Sequence, residues 1–140
     1  MAILMKISFG CHLLALVSIG LVGLIYLFRS QFMPYHAIAV GKKWSEVDPT
    51  FQTLLMALIR TLGGAWIATA LAIGILLFIP FRQGMGWSRW AVPIIGIVSQ
   101  IPALYATLSV TLKTPANAPW KGVVLIMILL IVGFILSLVP

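Results

Sequence analysis

The stretch Ile7–Phe28, ISFGCHLLALVSIGLVGLIYLF, contains no charged side chain, with Lys6 just before it and Arg29 just after. It is long enough to decide the fold class. A helix needs about 20 apolar residues to cross the hydrocarbon core of a bilayer. A secretory leader has an apolar core of only about 7–15 residues and a small-residue cleavage site. Neither fits here, and the Gly10-Cys11 pair lies before most of the apolar run, where a lipoprotein signal would need it afterwards. A retained transmembrane helix is expected.

Three further runs repeat the pattern, at about 54–79, 90–112 and 121–139. Backbone polar groups in lipid must be satisfied within the segment, so runs of this length mean helices. A transmembrane barrel would alternate apolar and polar residues, and no such alternation occurs. The expectation is an all-α, polytopic four-helix bundle, one integral membrane domain over residues 1–140 with a connector at 29–48.

Composition agrees. Of 140 residues, 62% are apolar and 8% charged, and the mean hydropathy is +1.17. A soluble domain carries about 25% charged residues. The net charge of +7 does not point to nucleic acid, because the basic residues lie singly at the ends of apolar runs, Lys42-Lys43 excepted. Such charges anchor helix ends to lipid headgroups. Trp44, Trp87, Trp90 and Trp120 fall at the same ends, as an interfacial aromatic belt requires.

Local chemistry sharpens the boundaries. Asp48-Pro49 reads as a helix start, Asp capping and Pro at the first helical position. Pro80 should close that helix, with a turn at Gln83-Gly84-Met85-Gly86. Pro102, in mid-span, should kink the third span and free a carbonyl that Ser99 or Gln100 could serve. Orientation is weakly marked: Arg29, Lys42, Lys43, Lys113 and Lys121 on one side outnumber Lys6, Arg82 and Arg89 on the other, which leans toward cytoplasmic connectors.

Arg60 is the most informative charge. It lies 12 residues past the Asp48 cap, about 18 Å along a helix, at the edge of an apolar run where it can snorkel to lipid phosphate. Alternatively it faces inward. Gln52, Met56, Arg60, Gly64, Ala68 and Ala72 recur every four residues, and Gly64, Ala68 and Ala72 would make a small-residue ridge for close helix approach. On that spacing Arg60 begins the packing face. Gly96, Gln100, Ala103, Thr107 and Thr111 form a polar stripe on the third span. Ser8, Cys11, Ala15 and Ser18, with His12 alongside, form one on the first. The last span, nearly all Leu, Ile and Val, is expected to face lipid more broadly.

Two constellations could carry function. One is a cavity lined by Arg60, Gln100, Thr107 and His12, against which stand an interfacial Arg60 on lipid phosphate and a His12 that is hydrogen-bonded packing. The other is a surface site at His36 and Glu46 near Arg60, although Glu46 and Asp48 could simply cap helices. One cysteine and two histidines on opposite predicted sides leave no metal site. No phosphate-cradling loop, catalytic-base helix motif or intramembrane carboxylate pair occurs, and no cofactor is implied.

The segment Phe32-Met-Pro-Tyr-His-Ala37, then Trp44, Asp48-Pro49, Gln52, Arg60, Gly63-Gly64 and Thr114-Pro-Ala-Asn-Ala-Pro-Trp120, resembles small, uncharacterised bacterial four-helix membrane proteins. The layout also resembles DoxX-like proteins and, more loosely, small multidrug resistance transporters, which centre on a membrane glutamate absent here. The resemblance implies a multi-pass protein of the bacterial inner membrane and no particular activity. The leading expectation is a non-enzymatic accessory or interaction subunit, or a lipid-contacting module. Its partners would be membrane lipids and a second copy or larger membrane complex, without nucleic acid. A small dimeric transporter and a membrane enzyme using His36, Glu46 and Arg60 are the alternatives.

Overall fold

The computed structural model describes residues 3–139, and these form an all-helical four-helix bundle. Helix α1 spans Ile3–Phe28 and a short α2 spans Pro34–Val40. A 3₁₀ turn at Trp44–Glu46 leads into α3, Pro49–Leu76. Helices α4, Ser88–Lys113, and α5, Trp120–Leu138, complete the chain. Four of these helices are long and apolar enough to cross a membrane.

The start of α3 follows from its cap. Asp48 Oδ1 accepts hydrogen bonds from the Thr50 and Phe51 N–H groups, at 2.9 and 3.2 Å. These are donors that the helix itself cannot satisfy. Its end differs from expectation. Pro80 does not close the helix: a π-helical turn continues it through Leu77–Phe81. Proline removes one donor and crowds the preceding turn, and a widened turn accommodates both effects. The chain then leaves by a Schellman motif, with Gly84 at φ 75° and hydrogen bonds from Gly84 N to Phe81 O and from Met85 N to Pro80 O. The extra turn places Phe81 in the core, 2% exposed.

At Pro102 the Ser99 hydroxyl donates to Gly96 O, 2.7 Å away, and Gln100 Nε2 to Ser99 Oγ. Neither reaches the carbonyl of Val98 that the proline frees. Helix α4 nevertheless runs unbroken through both of its prolines.

Helix α1 lies between α3 and α5, and α4 packs on α5 and closes the ring against α3. The buried residues trace heptad seams. On α3 these are Met56, Ile59, Gly63, Ala70, Ile73 and Leu77; on α1 they are Ser8, His12, Ala15, Ile19 and Tyr26. Alternating steps of three and four drift only about 20° per seven residues. Steps of four drift about 40° each, given 3.6 residues per turn. The four-residue ridge therefore rotates off the interface: at Gly64 an added Cβ would meet nothing within 4 Å, and Ala68 is exposed. Gly63 is the residue that touches α1, and the packing face begins with Met56 and Ile59 and leaves Arg60 outside it.

Helix α5 is exposed along Leu125, Ile128, Ile131 and Ile135, but no more broadly than α3 and α4. Its Ile126, Leu130, Gly133 and Ser137 are buried. Ser8 Oγ donates to Gly133 O at 2.6 Å, and the Leu130 side chain fills the space over Gly96 of α4.

Candidate functional site: an interfacial groove

Helix α3 with its π turn covers 33 residues, about 50 Å at 1.5 Å per residue, against a hydrocarbon core of about 30 Å. The register with α1 shows where the excess lies. Gly63 sits against Gly23, Tyr26 and Leu27 of α1, so Arg60, one turn earlier, is level with the end of α1. The first three turns of α3 project past that end, and the 29–48 connector climbs along them.

Several contacts fasten the connector. Gln52 Nε2 donates to Trp44 O and Val47 O, at 2.7 and 3.0 Å. Phe32 is buried with its ring edge-on to Trp44, centroids 4.9 Å apart. Arg29 donates to the carbonyls of Gln31 and Phe32. The hydroxyls of Tyr26 and Tyr35 are 2.7 Å apart, tying α1 to α2. Burial, with the Tyr26 bond second, pushes the Tyr35 phenol up, so it stays protonated. Tyr26 also stacks edge-on against Trp66 in α3.

Between this connector and α3 lies an open groove of about 430 Å³, lined by Ser30, Trp44, Gln52, Thr53, Met56 and Arg60. Among the described residues no carboxylate lines it. Both acids are engaged elsewhere in backbone capping: Asp48 as above, and Glu46 by accepting from Lys43 N at 2.8 Å. Arg60 is exposed on the groove wall. A guanidinium presents a planar fork of donors suited to phosphate or carboxylate. The arrangement can hold an anion level with the end of α1.

Compared with protein-family models, curated proteins and solved structures, the chain matches none.

Of the four residues considered for a transport cavity, His12 and Arg60 lie at opposite ends of the bundle. His12 lies against Phe81 and Gly133. Phe81 is 21 residues from Arg60 along α3 and its π turn, about 30 Å. Gln100 is buried on α4 with its amide directed to Ser99. Thr107 donates to carbonyls of its own helix, Ala103 and Leu104. It is Thr111 that acts between segments, accepting from Ala118 N at 3.1 Å to fold the 114–119 loop back over α4.

His36 and Glu46 are not brought into a hydrogen bond with each other. His36 Nδ1 accepts from Met33 N at 3.3 Å, capping α2, and its ring lies 4.2 Å from that of Tyr35. The Tyr26–Tyr35 and Gln52 fastenings were not legible in advance. They join residues whose proximity depends on how the connector folds back, and spacing does not encode that.

The His36 cap has a pH consequence. Burial, and secondarily the Arg29 guanidinium, hold His36 below its ordinary value of 6.5. The unfolded connector takes up a proton near 6.5, the folded one only at lower pH. The neutral imidazole therefore contributes its full stability above that value. The contribution is lost as pH falls from there through the folded value, because a protonated Nδ1 cannot accept from Met33. Proteolytic cleavage of the connector in detergent is expected to accelerate below about pH 6.5 in the native protein and to stay flat in His36→Phe. A native rate that does not change with pH would show that this cap does not hold the connector.

Proposed function

We propose that the chain is a non-enzymatic membrane module, an accessory or interaction subunit that works by holding an anionic group in the groove around Arg60. The observation that carries this is an exposed guanidinium level with the end of α1, on a groove that no carboxylate among the described residues lines. Support comes also from the engagement of the two acids and His36 in helix caps, where they serve the backbone. A bacterial inner membrane suits the helical spans, since single-chain proteins of the bacterial outer membrane are barrels.

Trp44 reports on the groove directly. Titrating the detergent-solubilised protein with inorganic phosphate, at constant ionic strength set with chloride, is expected to change tryptophan fluorescence saturably. The change should vanish in Trp44→Phe, which removes the reporter, and weaken about tenfold in affinity in Arg60→Gln, the worth of one charge-assisted hydrogen-bonded contact. An unaltered titration in Arg60→Gln, or no phosphate response in the native protein, overturns the proposal.

A further inference from the structure

A second groove lies deeper in the bundle. It has a volume of about 430 Å³ and runs between α1 and α3, with Gly20, Ala70 and Gly74 as its small residues and Leu24 and Ile67 at its upper end. Its lining is apolar throughout. The two grooves share one flank of α3. Thr53 and Arg60 line the upper groove, and Ile67 and Gly74 the lower. These four residues are each seven apart, so they form a nearly straight line down the helix. Both grooves also border α1: Ser30, just past its end, lines the upper one and Leu24 the lower.

Depth agrees with this continuity. From Arg60 to Ile75, at the lower end, is 15 residues, about 22 Å along α3. One leaflet of hydrocarbon is about 15 Å thick, half of the core, and the remainder matches a headgroup zone above it. Glycine at 74 keeps the lower groove open. A Cβ there would meet nothing within 4 Å, so no packing within the bundle requires the missing side chain.

Resting on the anion site proposed above, we infer that the occupant is one anionic phospholipid, its phosphate at Arg60 and Ser30 and one acyl chain lying in the groove over Gly20 and Gly74. Charge complementarity selects the headgroup, and the apolar track selects a chain-bearing ligand over free phosphate. A lipid held at both ends exchanges more slowly than one held only by headgroup charge. A small module could thus carry a resident lipid rather than a transient annular one.

The test is native mass spectrometry of protein reconstituted in phosphatidylcholine vesicles containing phosphatidylglycerol, then released into mild detergent. The native protein is expected to retain one phosphatidylglycerol in preference to phosphatidylcholine. Arg60→Gln should lower that retention about tenfold. Gly74→Leu, which fills the lower groove, should lower it similarly while leaving the melting temperature within a few degrees, since the new side chain points into open space. Leu71→Trp, at an exposed groove position, provides a second obstruction should Gly74→Leu fail to fold. If both obstructed variants retain phosphatidylglycerol like the native chain, the inference is overturned. If the native protein responds to phosphate yet shows no preference for phosphatidylglycerol, the lipid inference falls and the anion site stands. If it responds to phosphate in neither headgroup nor free form, both fall together.

Discussion

Gly63→Ala is expected to destabilise the bundle strongly, while Gly64→Ala next to it should be nearly silent. A Cβ on Gly63 would lie 2.6 Å from Leu27 N, 2.8 Å from Gly23 O and 3.0 Å from Tyr26 C. All three are backbone atoms of α1, so no side chain can swing aside and the two helices must separate. Inserting a methyl into a packed contact of this kind costs about 1–3 kcal/mol, a large part of the stability of a small domain. The damage should not stay local. Tyr26 stacks on Trp66 and bonds to Tyr35, so a displaced α1 loosens α2 and the connector that walls the Arg60 groove. Gly64 faces open space, and alanine there relieves the helix of a glycine. Thermal unfolding of both variants in one detergent checks the ranking. A Gly64→Ala cost equal to or above that of Gly63→Ala would mean that the four-residue ridge, not the heptad seam, is the interface.

That contrast marks where the sequence could be read and where it could not. The Asp48-Pro49 start, the four apolar runs and the terminal tryptophans are local signals, and each rests on physics that acts within a few residues. Which face of each span packs is another matter. In a soluble helix the polar side identifies the surface. In a membrane both lipid and core are apolar, so Leu-rich α5 looked lipid-facing although its Leu130 and Ser137 are fully buried. Arg60 was legible as a charge at a boundary, but its depth depended on the register of α3 against α1. That register is set by the Gly23–Gly63 contact, which a spacing rule built on Gly64, Ala68 and Ala72 does not reveal. On α1 the expected stripe of Ser8, Cys11, Ala15 and Ser18 with His12 alongside is buried at Ser8, His12 and Ala15, but Ile19 takes the inner position in place of Ser18 and Cys11 is only partly buried.

The other large effect is expected at the opposite end of the bundle, where His12 and Gly133 share one space. An added Cβ on Gly133 would lie 2.8 Å from His12 Cε1 and 2.9 Å from Nε2. The ring is completely buried and stands edge-on to Phe81, centroids 5.7 Å apart, so it has little room to retreat. Gly133→Ala alone should therefore cost about 1–3 kcal/mol. His12→Ala removes a buried ring and opens a cavity, which is unfavourable. It also removes two ring nitrogens that have no hydrogen-bond partner among the described residues, and burying such groups carries its own cost of about 1–3 kcal/mol. The two contributions oppose one another, so the net loss in His12→Ala should be smaller than for an apolar side chain of similar size. In the double variant the alanine methyl at 133 enters the space the ring vacated. The two changes then compensate, and a double-mutant cycle read by thermal unfolding should show a favourable coupling of about 0.5–3 kcal/mol. Simple additivity would contradict the packing described, because it would mean that the imidazole does not occupy the space over Gly133. A favourable coupling would instead assign His12 a steric role at the junction of α1, α5 and the π turn. The anion site we propose would then lie at the Arg60 end, where the chain leaves a guanidinium exposed.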